Sequence, residues 1–275
     1  MTALTVGDLL LGWRLDPAPA VVAIVVAGLY AVGVRRLATR GRHWHTGRSL
    51  AMAGAVAAGV LATQSGIGRY EGERFWVHMI QHVLIGVLVP LLVVLAAPLT
   101  LVLQSGAPGT RSLLRRALRS RTGHLVSHPL VGWALFGGGL VGLYLTPALD
   151  LAARNDVAHA AMHTHVVLAG VLFLAPLVGV DPIPARLPFA ARLLAVLAAV
   201  PFHAVVALAL LTGTTPVAPD AYPSLSDQRS AAAIFWGAGE LLTVVVAGIV
   251  GRQWWVSERR AAAREDRALD AARLG

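Results

Sequence analysis

The sequence predicts an all-α integral membrane protein: a seven-helix bundle with its N-terminus outside and its C-terminus in the cytoplasm. Three observations predict it. Of the 275 residues, 56% are hydrophobic and only 13% are charged, where a soluble domain carries about 25% charge. The charges fall between seven apolar runs, each longer than the ~17 residues that can cross a bilayer. Arginines crowd every second loop.

The spans follow in order. Residues 17–34 form the first and 49–68 the second. Residues 75–103 form the third, which is long and interrupted by Pro90 and Pro98. Prolines in a membrane helix kink it and leave room inside a bundle. Residues 129–149 form the fourth span, 157–180 the fifth, 188–214 the sixth and 230–251 the seventh, broken only by Glu240. Residues 1–251 are thus one membrane domain, and 252–275 form a charged, Ala-rich cytoplasmic tail that reads as a surface helix or simply a solvated end. No internal repeat or low-complexity linker divides the chain.

The loops set the orientation. Arg35, Arg36, Arg40, Arg42 and Arg48 follow the first span; Arg111, Arg115, Arg116, Arg119 and Arg121 follow the third. With Arg186 and Arg192 after the fifth and six arginines in the tail, 18 lie on one side. Only Arg14, Arg69, Arg74, Arg154 and Arg229 lie on the other. Positive charge stays in the cytoplasm, and Trp254 and Trp255 sit where an inner aromatic belt belongs. No basic residue precedes Arg14, so the start lacks the basic region of a cleavable signal peptide.

Composition also excludes chemistry. The net charge of +9 comes from arginines that flank spans rather than from one basic face, so nucleic acid is not a partner. There is no Lys, which removes Schiff-base chemistry and a retinal protein with it. There is no Cys, which removes disulfides, thiolate metal sites and cysteine catalysis. No nucleotide-binding loop, Ser-His-Asp order or H-E-x-x-H motif occurs.

Histidine carries the function. "HMIQH" holds His78 and His82, "HAAMHTH" holds His159, His163 and His165, and "PFHAVVAL" holds His203. Imidazole is expensive in hydrocarbon, so each is a functional-site candidate. At 1.5 Å per residue, His82, His163 and His203 all fall within roughly 5–15 Å of the outer surface. His78 and His82 are four apart and share a helix face, as do His159 and His163. Such pairs hold a metal ion; a single pair would serve equally as hydrogen-bonding glue between helices.

His165 lies about 200° round from His163 and faces another partner behind the ligands. Met79 and Met162 stand beside the pairs: a thioether favours Cu(I), but Met is also ordinary packing material. Glu240 is a proton relay, a cation's counter-charge or a packing partner. Asp227 caps the seventh helix or, with Gln228, supports the ligands from behind. His43, His45, His124 and His128 lie near the arginine-rich side and read as solvated or interfacial.

The same segments resemble the CtaG-type cytochrome c oxidase assembly factors, the family associated with caa3-type oxidases. The resemblance is carried by "HMIQHVLIGVLVPLLVVLAAPLTLVL", "HAAMHTHVVLAGVLFLAPLVGVDPIP", "PFHAVVALALL" and "DQRSAAAIFWGAGE". After the Asp-Gln pair the family pattern contains Gly and Met, whereas this chain reads Ala231 to Ala233 and Phe235. The resemblance implies a multi-pass protein of a bacterial plasma membrane, not an enzyme, that matures a haem–copper oxidase by supplying copper. Its partners would be oxidase subunits and membrane lipid, and its ligands His78, His82, His159, His163 and His203. Three alternatives remain open from the residues: a bis-His haem protein for electron transfer, a membrane di-iron enzyme, for which Glu240 is the one buried acid expected, and a copper transporter.

Overall fold

The computed structural model describes residues 4–184 and 187–274. Arg186 and the side chain of Arg273, both counted above, lie outside the described residues. Every regular element among those described is a helix. Six helices are long and apolar enough to span a membrane, or seven if one bent pair is a single span.

A short helix, α1 (Val6–Leu11), precedes α2 (Pro17–Ala38), whose first turn is set by Pro17 and by Asp16 accepting from the Ala18 amide at 3.1 Å. Val21, Val22, Ile24, Val25 and Leu29 on α2 are exposed. So large an apolar face suits lipid rather than water. Helix α3 (Thr46–Gln64) starts where the His45 Nδ1 accepts from the Gly47 amide at 3.1 Å. The one-turn α4 (Gly66–Tyr70) then leads into the third span.

That span is broken in the two places the prolines predict. It comprises α5 (Phe75–Val83), a π turn (Leu84–Leu88), α6 (Val89–Ala96) and α7 (Pro98–Ser105). Pro90 has no amide for the carbonyl of Gly86, and the Val89 amide reaches back to Leu84, so the turn widens. At Ala97 the backbone is left-handed, φ 53°, and α7 restarts at Pro98. Asp181, beyond the fifth span, caps this restart: its carboxylate accepts from the Leu99 amide at 3.1 Å, the Thr100 amide at 2.8 Å and the Thr100 hydroxyl at 2.6 Å.

Two surface helices follow, α8 (Pro108–Arg119) and α9 (Arg121–Val126), in what the sequence leaves as an arginine-rich loop. The fourth span departs from the straight run expected over residues 129–149. α10 (Pro129–Tyr144) ends early, and α11 (Ala148–Arg154) leaves it at 74°. Pro147 disfavours helical backbone at Thr146, which places the bend. His128 Nδ1 caps α10 through the Leu130 amide at 3.3 Å.

The fifth span, α12 (Asp156–Val178), is capped by Asn155 and closed by Gly179 at φ 61°, the left-handed end glycine favours. The sixth divides into α13 (Phe189–Leu197) and α14 (Val200–Thr212), with Pro201 at the break. The seventh, α15 (Leu225–Leu274), starts before residue 230 and runs past residue 251 without interruption, so the tail is the same helix prolonged.

The third span lies at the centre, packed on α3, α12 and α15, while α10 packs on α12 and α14. Spans three and five meet directly, with no helix between them. A side-chain carbon on Gly86 would run into Val166, and one on Gly170 into the carbonyl of Gly86. Small residues let two membrane helices approach this closely. That approach, one turn below His82 and His163, brings the two histidine pairs face to face.

Candidate metal centre

His78 and His159 sit in the first turns of α5 and α12, and His82 and His163 one turn deeper, about 6 Å at 1.5 Å per residue. The four imidazoles form a ring of near neighbours. Ring centroids are 4.2 Å apart for His78 and His82, 5.4 Å for His82 and His163, 4.2 Å for His163 and His159, and 6.1 Å for His159 and His78. A metal about 2.0 Å from each ligating nitrogen lies roughly 3.2 Å from each ring centre, so two tetrahedral imidazole ligands have centroids about 5 Å apart. The observed spacings bracket that value.

A fifth donor joins them that sequence reasoning did not single out. Glu71, between α4 and α5, places Oε2 2.8 Å from His78 Nδ1 and Oε1 3.4 Å from His159 Nε2. Ligand atoms of Glu71, His78 and His159 all lie within 4.8 Å of one another. Burial alone would raise the Glu71 carboxyl, but hydrogen bonds from His159 and His78 and their positive charge overcome it and hold the group well below 4.5. Glu240 is therefore not the sole acid inside: Glu71 is at the cluster, and Asp181 is buried at the far end. Glu71 stands in the polar run "RYEGER", which reads as a solvated loop. The one available signal was its spacing of seven from His78.

The ring nitrogens divide cleanly. Hydrogen bonds at Nδ1 fix two of the rings: His82 Nδ1 lies 3.0 Å from the Tyr144 hydroxyl, and His78 Nδ1 lies 2.8 Å from Glu71 Oε2. The Nε2 atoms of His78, His82 and His163 are buried and have no hydrogen-bond partner among the described residues. A buried polar atom without a partner costs about 1–3 kcal/mol. The donor atoms of Glu71, His78 and His159 lie close enough together to hold a metal ion, and these buried nitrogens leave further imidazole donors beside them.

Loop residues at the same end of the bundle close over the cluster. Tyr222 stacks on Phe75 at 5.0 Å, lies 5.7 Å from the His78 ring and donates its hydroxyl to the Glu71 carbonyl at 2.8 Å. Burial, with Glu71 nearby, pushes the Tyr222 hydroxyl well above its usual range, so it stays a donor. Asp227 accepts from the Phe75 amide at 2.8 Å and the Trp76 amide at 3.2 Å. It caps the third span rather than the seventh, which Ser224 caps through the Asp227 amide at 3.2 Å. Gln228 ties the same loop to α14, accepting from the Val217 amide and donating to the Leu210 carbonyl, both at 2.9 Å. Neither Asp227 nor Gln228 hydrogen-bonds a histidine.

The remaining expected site residues lie elsewhere. His203 is apart from the ring of four: its neighbours are Phe136 at 5.7 Å and Phe235 at 5.6 Å, and its buried Nδ1 has no partner among the described residues. His165 turns away as its spacing predicts, with Nε2 against Gly139. His82, His165 and His203 line one small cavity of about 40 Å³, opened at the π turn beside Gly86. Glu240 accepts from the Trp236 indole on its own helix at 3.3 Å. Met162 packs in the core, and the Met79 sulfur accepts from Tyr144 at 3.5 Å, so both serve packing.

The family model for the cytochrome c oxidase caa3 assembly factor matches residues 28–257. The uncharacterized proteins Mb0105 of Mycobacterium bovis and MT0111 of Mycobacterium tuberculosis are each 34% identical over 97% of this chain and 43% of their own length. The uncharacterized protein ML1998 of Mycobacterium leprae is 34% identical over 94% of the chain and 42% of its own length. The chain thus spans less than half the length of these relatives. No solved structure matches it significantly. Because the matched region holds Glu71, all six intramembrane histidines and every span but the beginning of the first, the chain belongs to the cytochrome c oxidase caa3 assembly factor family.

Proposed function

We propose that the chain binds copper at the histidine cluster on the outer side of the plasma membrane and passes it to a haem–copper oxidase during assembly. The observation that carries the reading is the convergence of Glu71, His78 and His159 ligand atoms within 4.8 Å, beside Nε2 atoms of His78, His82 and His163 that are buried and have no partner among the described residues. Neutral imidazole is a ligand for copper, zinc, iron and nickel; membership of an oxidase assembly family favours copper among these. Tyr144 and Glu71, behind His82 and His78, fix the rings, as groups behind metal-bound histidines do. The arginine distribution favours a cytoplasmic position for the opposite end of the bundle.

A bare ion is favoured over haem. A porphyrin between axial imidazoles needs an open slot, and here His82 and His163 fill the space next to His78 and His159. The adjoining cavity, about 40 Å³, has room for little more than a water molecule.

The test is the copper content of oxidase purified from cells carrying His82→Ala with His163→Ala. The oxidase should be short of copper while the variant protein stays in the membrane. Oxidase with its normal copper would refute the reading. A Soret band in the purified chain, lost in the same variant, would transfer the site to haem. Copper uptake into liposomes by the purified chain would make it a transporter.

A further inference from the structure

We propose that the arginine-rich end of the bundle carries a binding site for the headgroup of an anionic phospholipid, gripped by Arg115 and Arg119. The site is independent of the histidine cluster and lies at the opposite end of the fold. A cavity of about 320 Å³ opens where α8 and α9 meet α7 and the loop that follows α12. Arg115 and Arg119 of α8 and His124 of α9 supply its polar lining. Leu103 of α7, Leu118 of α8 and Ile183 of the loop supply apolar lining. Its size falls among small-molecule sites, roughly 300–1,000 Å³.

The sequence makes this cavity cationic. No Asp or Glu occurs between Glu73 and Asp150, while Arg111, Arg115, Arg116, Arg119 and Arg121 crowd α8 and the start of α9. Arg111, Arg115 and Arg119 recur every fourth residue and so share one face of α8. Arg115 and Arg119 are exposed and have neither an ion pair nor a hydrogen bond among the described residues. Asp181, next to the loop prolines, already uses both carboxylate oxygens at the start of α7. His124 Nδ1 donates to the Ser120 carbonyl at 2.9 Å, so Nε2 is the nitrogen left for a ligand.

Two guanidinium groups one helical turn apart, with no counter-charge, match a phosphate, which each can hold through paired N–H donors. The apolar lining favours the phosphate of a lipid over a free one. So does the surface around it: Leu113 of α8 and Leu125 of α9 are 65% and 63% exposed. An interfacial helix with an arginine face lays such leucines against acyl chains. A zwitterionic headgroup fits less well, because its ammonium would meet arginines and no carboxylate. The glycerol of phosphatidylglycerol, in contrast, has hydroxyls that can donate to His124 Nε2. Basic pockets beside membrane helices recognise anionic headgroups by the same chemistry. Bound here, the lipid ties α8 and α9 to the loop after the fifth span.

Full-length chain in neutral detergent is titrated with dioctanoyl phosphatidylglycerol, dioctanoyl phosphatidylcholine or inorganic phosphate, and binding is read by native mass spectrometry and by the melting temperature. Phosphatidylglycerol should bind at least about tenfold tighter than phosphatidylcholine and raise the melting temperature. Arg115→Gln with Arg119→Gln should weaken it about 30-fold, the scale of two arginine contacts at a membrane surface. Both side chains are exposed and unpaired among the described residues, so the variant should fold, which circular dichroism verifies. Arg116→Gln, on the same helix but outside the cavity lining, should bind as wild type does. Equal affinity for the two lipids, or wild-type affinity in the double variant, would overturn the site. An equal loss in Arg116→Gln would also overturn it, by reducing the effect to general positive charge. Inorganic phosphate that binds as tightly as phosphatidylglycerol would overturn the lipid as occupant.

Discussion

His82 and His163 face each other across the seam between the third and fifth spans, their rings 5.4 Å apart and their Nε2 atoms both buried without a partner among the described residues. Two segments eighty-one residues apart in sequence therefore present matched donors at one depth. Removing either imidazole should leave the bundle folded, because the void left in an apolar helix is small and a buried polar atom disappears with it. Each of His82→Ala and His163→Ala should insert at wild-type levels and lose most of its bound copper, measured by elemental analysis of the purified chain.

Tyr144 makes a subtler contribution. Its hydroxyl lies 3.0 Å from His82 Nδ1 and donates to the Met79 sulfur at 3.5 Å. Tyr144→Phe keeps the ring and its packing but frees His82 to rotate. Copper affinity should fall by about 10–100-fold, with thermal stability nearly unchanged. A competition titration with a copper chelator checks it.

Acid should release the metal. A protonated imidazole cannot ligate, so affinity should fall as the solution is acidified. Glu71 stays ionised from pH 8 to pH 5, since its carboxyl is held below 4.5, so the loss reports the histidines. Copper retained after equilibrium dialysis from pH 8 to pH 5 measures it, and retention independent of pH would contradict imidazole ligation.

Two aspartates allow a controlled comparison. Asp227 caps α5 at the histidine end and Asp181 caps α7 at the arginine end. Losing a helix cap costs about 1 kcal/mol, so Asp227→Ala and Asp181→Ala should lower the melting temperature alike. Only Asp227→Ala should also weaken copper binding, because the helix start it fixes carries His78. Equal copper affinity in the two variants would separate Asp227 from the site.

Much of this was legible from local pattern. Helices are read from runs of apolar residues, and both histidine pairs from a spacing of four, because each property belongs to one helix. Proline marked the two breaks in the third span, whereas the bend after Tyr144 was missed, because residues 129–149 read as one apolar run despite Pro147. What escaped belongs to contacts between distant segments. Glu71 lies in a charged loop and becomes a site residue only when α5 and α12 converge on it. Asp227 stands three residues into its own helix, yet it caps another helix 152 residues away in sequence from its partner amide at Phe75. Tyr144 closes an apolar run and carries no motif. His203 shares the expected depth, but depth does not settle which way a ring points, and it points among Phe136 and Phe235.

The arginine distribution predicts the orientation, and that prediction has a direct check. A periplasmic reporter fused after Asp150 or Asp220 should be active and a cytoplasmic reporter silent. An active cytoplasmic reporter at either position would place the histidine cluster on the inner side, away from extracytoplasmic copper.

Copper bound per chain, in wild type and in the His82→Ala, His163→Ala double variant, tests the central claim most directly. Both proteins are purified without chelator, loaded with Cu(I) and desalted before metal analysis. The cluster predicts retained copper in the wild type and next to none in the double variant, at equal folding by circular dichroism. Equal copper in the two, or none in the wild type, would contradict it.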